Sequence, residues 1–169
     1  MSYGAIVARI MLMNESVWER HANPWSCWTR LAIAPLLALS IWSRSWIGWW
    51  CLLPLVILII WIWVNPRIFA KPVSTDNWAS KAVFGERVWL NRHIVPLPAR
   101  HVRMAHMLNF LAALGMIPLI WGLVSLDFWM LIAGLGFTMG AKMWFLDRMV
   151  WLYDEVRVKH AEYQRWLRP

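Results

Sequence analysis

The chain has 169 residues, 60% of them hydrophobic and 15% charged, with 16 tryptophans and a formal net charge of +8. A soluble domain is about 45–50% apolar and about 25% charged, so an ordinary soluble enzyme is excluded, as are a disordered and a collagen-like chain. Two cysteines can build neither a disulfide framework nor a four-cysteine zinc site, which leaves a single membrane domain.

Residues 5–13 are apolar but broken by Arg9, and no small-residue cleavage site follows. This reads as a short interfacial amphipathic helix rather than a signal peptide, with Met1, Met11 and Met13 all open as translation starts. Four apolar runs come next, at residues 28–42, 46–64, 107–124 and 128–150. Crossing a hydrocarbon core of about 30 Å takes about 20 helical residues. Pro24 and Trp25 extend the first run inward. The expected architecture is all-α and polytopic: four transmembrane helices in two hairpins, over about 25–42, 46–64, 106–124 and 128–150. A cytoplasmic segment at 65–103 carries an amphipathic helix between the hairpins, and a C-terminal helix covers 151–167.

The basic residues interleave with these runs and form no block. Of the 17 Lys and Arg, only Arg44 falls in the two short turns at residues 43–45 and 125–127. Positive residues stay on the cytoplasmic side, so both termini and the central segment are expected there. The charge then attracts anionic lipid headgroups, at about 1 kcal/mol per residue near the surface, and implies no nucleic-acid partner. Trp42, Trp46, Trp49 and Trp50 gather at the outer turn, and Trp25, Trp28, Trp61 and Trp63 gather at the opposite level. They read as two aromatic belts. Pro35, Pro54 and Pro118 lie inside three of the runs, either kinking them to open a cavity or simply tolerated. Gly136 and Gly140 form a small-xxx-small pair suited to close helix contact. Cys27 and Cys51 sit at opposite faces and are not expected to pair.

In the central segment, Pro66 and Pro72 keep the second helix from running straight on. Ser74, Thr75 and Asp76 offer an N-cap to a helix over 77–90. On a helical wheel Trp78, Ala79, Ala82, Val83, Trp89 and Leu90 share a face, with Asn77, Ser80, Lys81 and Arg87 to the sides or behind. Glu86 lies in the middle of that apolar face. Burying a carboxylate without a partner costs several kcal/mol, so Glu86 either pairs with an arginine that pins the helix or serves as a metal ligand or catalytic base. His106 and Asn109 share a face just inside the third span, and Thr29 and Arg30 lie at comparable depth on the first. Lys142 sits about 21 Å in from the outer end of the fourth span and can face the interior or snorkel to the surface. Asp147 and Arg148 follow. Ionisable groups at membrane depth are expensive and point to a functional site.

All five histidines, His21, His93, His101, His106 and His160, fall on the inner side. His21, Glu86, His101 and His106 are the candidate ligands of a divalent metal, iron or zinc, although no HExxH or HxxxH spacing links them. Glu86, Asp147 and His106 are the candidate catalytic groups. Arg30, Asn77, Arg87 and Lys142 are the candidates for holding an anionic substrate.

Four stretches carry a resemblance: Glu19-Arg20-His21-Ala22-Asn23-Pro24-Trp25-Ser26 with Trp28-Thr29-Arg30; Asn65-Pro66-Arg67; Ser74-Thr75-Asp76-Asn77-Trp78-Ala79-Ser80 with Gly85-Glu86-Arg87; and Trp144-Phe145-Leu146-Asp147-Arg148-Met149-Val150-Trp151. Together, over roughly residues 15 to 155, they resemble a family of small prokaryotic integral-membrane proteins known only as a domain of unknown function. The resemblance implies a prokaryotic cytoplasmic (inner) membrane and no activity. The chain is also faintly similar, at His21 and Asn23, to small four-helix membrane dioxygenases that bind iron and act on 2-hydroxy fatty acids. The spacing differs, and the other histidine pairs of those enzymes have no match here.

Three functions fit the residues. One is an enzyme, metal-dependent or acid/base, working on a lipid or other membrane-dissolved substrate at the cytoplasmic face. The second is a non-catalytic accessory subunit packed against a larger membrane complex, and the third is an oligomeric transporter. Convergence of Glu86, His21, His106 and Asp147 on one site favours the first. A Glu86 merely paired with arginine, with no pocket, favours the second.

Overall fold

The structure, a computed structural model, describes residues 13–169. The interfacial helix expected at 5–13 therefore lies, apart from Met13, outside the described residues. Those residues are helical, with no strand among them. The helices are α1 (Glu15–His21), α2 (Pro24–Leu31), α3 (Ile33–Trp42), α4 (Arg44–Ile47), α5 (Leu52–Ile68), α6 (Trp78–Leu90), α7 (Ala99–Ser125), α8 (Phe128–Arg157) and α9 (Ala161–Gln164), with a 3₁₀ turn at Gly48–Cys51. Three helical runs, Pro24–Ile68, Ala99–Ser125 and Phe128–Arg157, are long and apolar enough to cross a membrane.

Short polar side chains start many of these helices. Asn14, Asn23, Asn77 and Asp127 each accept a hydrogen bond from a backbone N–H of the first turn of α1, α2, α6 and α8. The cap of α6 is thus Asn77, one residue beyond the expected Ser-Thr-Asp cluster. Proline sets the internal breaks. Pro35 occupies the third position of α3, and its ring cannot sit against the carbonyl of Leu31, so α2 stops at Leu31 and α3 restarts at Ile33. Pro54 likewise falls in the first turn of α5, where the missing N–H has no intrahelical partner. Pro66 and Pro118 are interior, so α5 runs two residues past Pro66 rather than stopping before it.

The run from Pro24 to Ile68 doubles back on itself: α3 packs on α5, and the Ser26 hydroxyl is 2.8 Å from Asn65 Oδ1. The connection is longer than the expected three-residue turn. It comprises α4 and the 3₁₀ turn, joined at Gly48, whose φ of +56° suits a residue without Cβ. Between α7 and α8, Leu126 takes the left-handed conformation before the Asp127 cap. Arg44 donates to the carbonyls of Leu123 and Val124, ties the two connections together and satisfies groups that the end of α7 leaves open.

The larger of two buried clusters lies at one end, and a small one of Ala38, Leu119 and Leu131 lies apart from it. Ala82, Val83, Phe84 and Val88 of α6, Ala105 and Leu108 of α7, and Phe145, Met149, Leu152 and Tyr153 of α8 form the larger one. The apolar period of α8 continues past residue 150 through Leu152, Tyr153 and Val156, which are buried. That is why the expected separate C-terminal helix is mostly the continuation of α8, with only α9 apart from it. The chain end folds back so that Thr75 exchanges hydrogen bonds with Arg168, backbone N–H to carbonyl at 2.8 Å and Arg168 N–H to hydroxyl at 2.7 Å. Toward the opposite end the side chains turn outward, among them Phe110, Ile117, Trp121 and Trp129, each exposed.

Close helix contact is made by Gly115, Gly122 and Gly134, where an added Cβ would collide with Thr138, Leu131 and Leu119. Gly136 and Gly140, the expected small-xxx-small pair, face open space instead. Gly134 shows how the helix rotation decides this: it is two residues from Gly136, about 200° around α8.

Candidate functional site

Glu86 occupies the position the wheel gives it, inside the apolar face of α6 with its side chain 17% exposed. Gly85 beside it lets α6 settle on α8, since a Cβ there would strike the backbone of Met149. This approach brings two cations to the carboxylate. Lys142 Nζ of α8 lies 2.6 Å from Oε1, and the Arg30 guanidinium of α2 lies 3.5 Å from Oε2. Burial pushes the Glu86 carboxyl up, but Lys142 and Arg30 overcome it and hold the group down at about 2. The cluster carries two positive charges against one negative.

A second polar chain runs beside it. His21, buried at the end of α1, has Nδ1 2.8 Å from the Ser26 hydroxyl. Ser26 reaches Asn65 Oδ1 at 2.8 Å, Asn65 Nδ2 reaches the Thr29 hydroxyl at 2.7 Å, and Thr29 reaches the Trp25 carbonyl at 2.6 Å. Ser26 and Asn65 are fully buried. Burial first, then the charge of Arg30, drives the His21 imidazole well below its usual 6.5 and keeps it neutral.

The Glu86 cluster and, from the second chain, His21 open on one cavity of about 660 Å³. Its polar lining includes Glu86, Arg30, Lys142, Arg92, His21 and His106, and its apolar lining includes Ile33, Leu37, Ile62 and Met139. Pockets that take small molecules are of about this size, mostly apolar with a few convergent polar groups.

A family of unknown function, DUF6653, matches residues 4–166. The chain belongs to this family. No curated protein and no solved structure matches it. Membership of DUF6653 brings no activity, so the chemistry of this DUF6653 chain rests on its own residues.

The candidate residues divide clearly. Glu86, Arg30, Lys142, His21 and His106 line the cavity; His106 also packs edge-on against Trp89, with ring centroids 5.2 Å apart. His101 is turned to Glu155, with Nε2 2.9 Å from Oε2. Asn77 caps α6. Arg87 forms a two-pronged pair with Glu15, whose carboxyl it holds below the usual range, and stacks 4.1 Å over Trp166. Asp147 pairs with Arg148 at 2.8 Å and accepts from Trp78 Nε1. Among the described residues no three His, Cys, Asp or Glu side chains converge as a metal set would require. The proposed ligands His21, Glu86, His101 and His106 are engaged by Ser26, two cations, Glu155 and Trp89 respectively. Asn23, the other residue of the dioxygenase likeness, caps α2 and donates to the Ala70 carbonyl at 3.0 Å.

Sequence reading missed Ser26, Asn65 and Gly85. Asn65 shares its Asn-Pro dipeptide with Asn23, and that repeated pair was the available signal.

Proposed function

We propose that this chain is an inner-membrane protein that crosses the bilayer four times, with both termini cytoplasmic, and that holds a membrane-dissolved amphiphile by its anionic head at the cytoplasmic face. The crossings are α2–α3, α5, α7 and α8; the 17 residues of α5 rise about 25 Å, which suits one crossing. The exposed Trp25, Trp46, Trp49 and Trp50 sit where belts at the two interfaces belong. One observation carries the functional reading: an open, largely apolar cavity whose polar lining has a net excess of cations, Lys142, Arg30 and Arg92 against Glu86. An accessory subunit needs the ion pairs but not the cavity.

His21 and His106, which line the same cavity, are the groups available for acid/base work on the bound head. The dispersed ligand set supports no metal step.

The test is retention of lipid by purified protein in nanodiscs, read by native mass spectrometry. Phosphatidylglycerol should be retained over phosphatidylcholine of the same acyl chains, and Arg30→Gln with Lys142→Gln should remove the preference. A preference that survives both substitutions does not come from the Glu86 cluster and sinks the proposal.

A further inference from the structure

We infer that the amphiphile's anionic head also carries a hydroxyl or amine hydrogen, which Nε2 of His21 receives. This rests on the reading of the cavity as an amphiphile site and names the class of head it takes.

The run of hydrogen bonds begins at a group that can only accept. The Trp25 carbonyl takes the hydrogen of the Thr29 hydroxyl at 2.6 Å. Thr29 then has no hydrogen for Asn65, so its oxygen accepts from Asn65 Nδ2 at 2.7 Å, which fixes the orientation of the carboxamide. Asn65 Oδ1 therefore faces Ser26 and accepts its hydroxyl hydrogen at 2.8 Å. With that hydrogen committed, the Ser26 oxygen can only accept, and the 2.8 Å contact with His21 is an Nδ1–H donating to it. Every link runs in one direction. A neutral imidazole carries one N–H, so with Nδ1 protonated, Nε2 presents a bare lone pair.

That lone pair meets the cavity. Among the described residues Nε2 has no hydrogen-bond partner, yet the single buried side-chain nitrogen or oxygen without one is Arg148 Nε. Nε2 is therefore not sealed in, and the ring lines the cavity beside Arg30 and Glu86. The Glu86 oxygens already face Lys142 and Arg30. A head that offers only negative charge satisfies the cations and leaves Nε2 without a partner once water is displaced. A head with a neighbouring O–H or N–H satisfies both.

Phosphatidylglycerol and phosphatidylmethanol test this directly. With matched acyl chains they carry the same single negative charge, and only the first has hydroxyl groups on its head. Full-length protein in phosphatidylcholine nanodiscs doped with either lipid should retain phosphatidylglycerol about ten- to a hundredfold better, the range expected for an acceptor left unpaired. Ser26→Ala, which frees the tautomer, and His21→Phe, which removes the acceptor, should bring the ratio toward one while both anionic lipids still exceed phosphatidylcholine. Independently of ligand and of how well His21→Phe folds, ¹⁵N spectra of histidine-labelled protein should give His21 the Nδ1–H signature. Equal retention of the two lipids by the unsubstituted protein, or an Nε2–H signature, overturns the inference and leaves the amphiphile site standing. Failure of both lipids to exceed phosphatidylcholine overturns the amphiphile site and this inference with it.

Discussion

Gly85 lies directly against the backbone of Met149, and that contact sets how near α6 comes to α8. The next residue is Glu86, whose carboxylate meets Lys142 seven residues earlier on α8. The ion cluster is therefore positioned by a missing side chain. Gly85→Ala should cost about 1–3 kcal/mol, as overpacking does, and should weaken anionic-lipid retention by parting Glu86 from Lys142. Thermal unfolding in detergent together with the nanodisc assay checks both; a variant as stable and as retentive as the parent refutes the positioning role.

Glu86→Gln leaves Arg30 and Lys142 facing each other without a counter-charge. The expected loss is about 3 kcal/mol, the low end for a broken buried pair because both cations reach water. Adding Lys142→Met should recover part of it. A double-mutant cycle measures the coupling, and additive losses would mean that the pair does not interact.

Acid should unfold the protein in two stages. The folded His21 imidazole is held below 6.5, so the unfolded chain takes up that proton first; its contribution is complete above pH 6.5 and declines as the pH falls below it. The Glu86 carboxyl is held at about 2 against an ordinary 4.5, so its contribution is complete above 4.5 and is lost between 4.5 and 2. Melting midpoints from pH 8 to 3 should therefore slope in both windows. His21→Gln should flatten the upper window only, and Glu86→Gln the lower only.

Gly134→Ala and Gly136→Ala form a matched pair two residues apart. The first collides with Leu119 and should destabilise by about 1–3 kcal/mol. The second meets open space and should be neutral or stabilising by up to about 1 kcal/mol, since alanine suits a helix better. Chemical denaturation of both variants decides it, and equal effects would misplace the α7–α8 interface.

Orientation has its own measurement. In a background lacking Cys27 and Cys51, a cysteine at Ser45 or Leu126 should react with an impermeant thiol reagent added outside cells. One at Asp76 should react only after permeabilisation. The reverse pattern would invert the proposed topology.

The long apolar runs announced the helices, and Glu86 announced the site, because a carboxylate inside an apolar stripe has few physical explanations. Arg30 and Lys142 were visible by depth alone. Asn65, Ser26 and Gly85 were not. Uncharged polar residues near the end of an apolar run look like ordinary boundary residues, and only the fold reveals that Asn65 comes back beside Ser26, 39 positions away. Asn77, Arg87 and His101 misled for the opposite reason: each is chemically capable, and each is committed to a cap or an ion pair that composition cannot show. Glycine spacing on one helix says nothing of its rotation, which is why Gly136 and Gly140 looked like a contact.

The cavity draws residues from α1, α2, α3, α5, α6, α7 and α8, and Lys142 belongs to the last of these to leave the ribosome. While the chain is being made, Glu86 has Arg30 for company but not its nearer partner. The complete cluster therefore comes into being only once α8 has been made, and a nascent chain that stops short of α8 holds the Arg30 half of it alone.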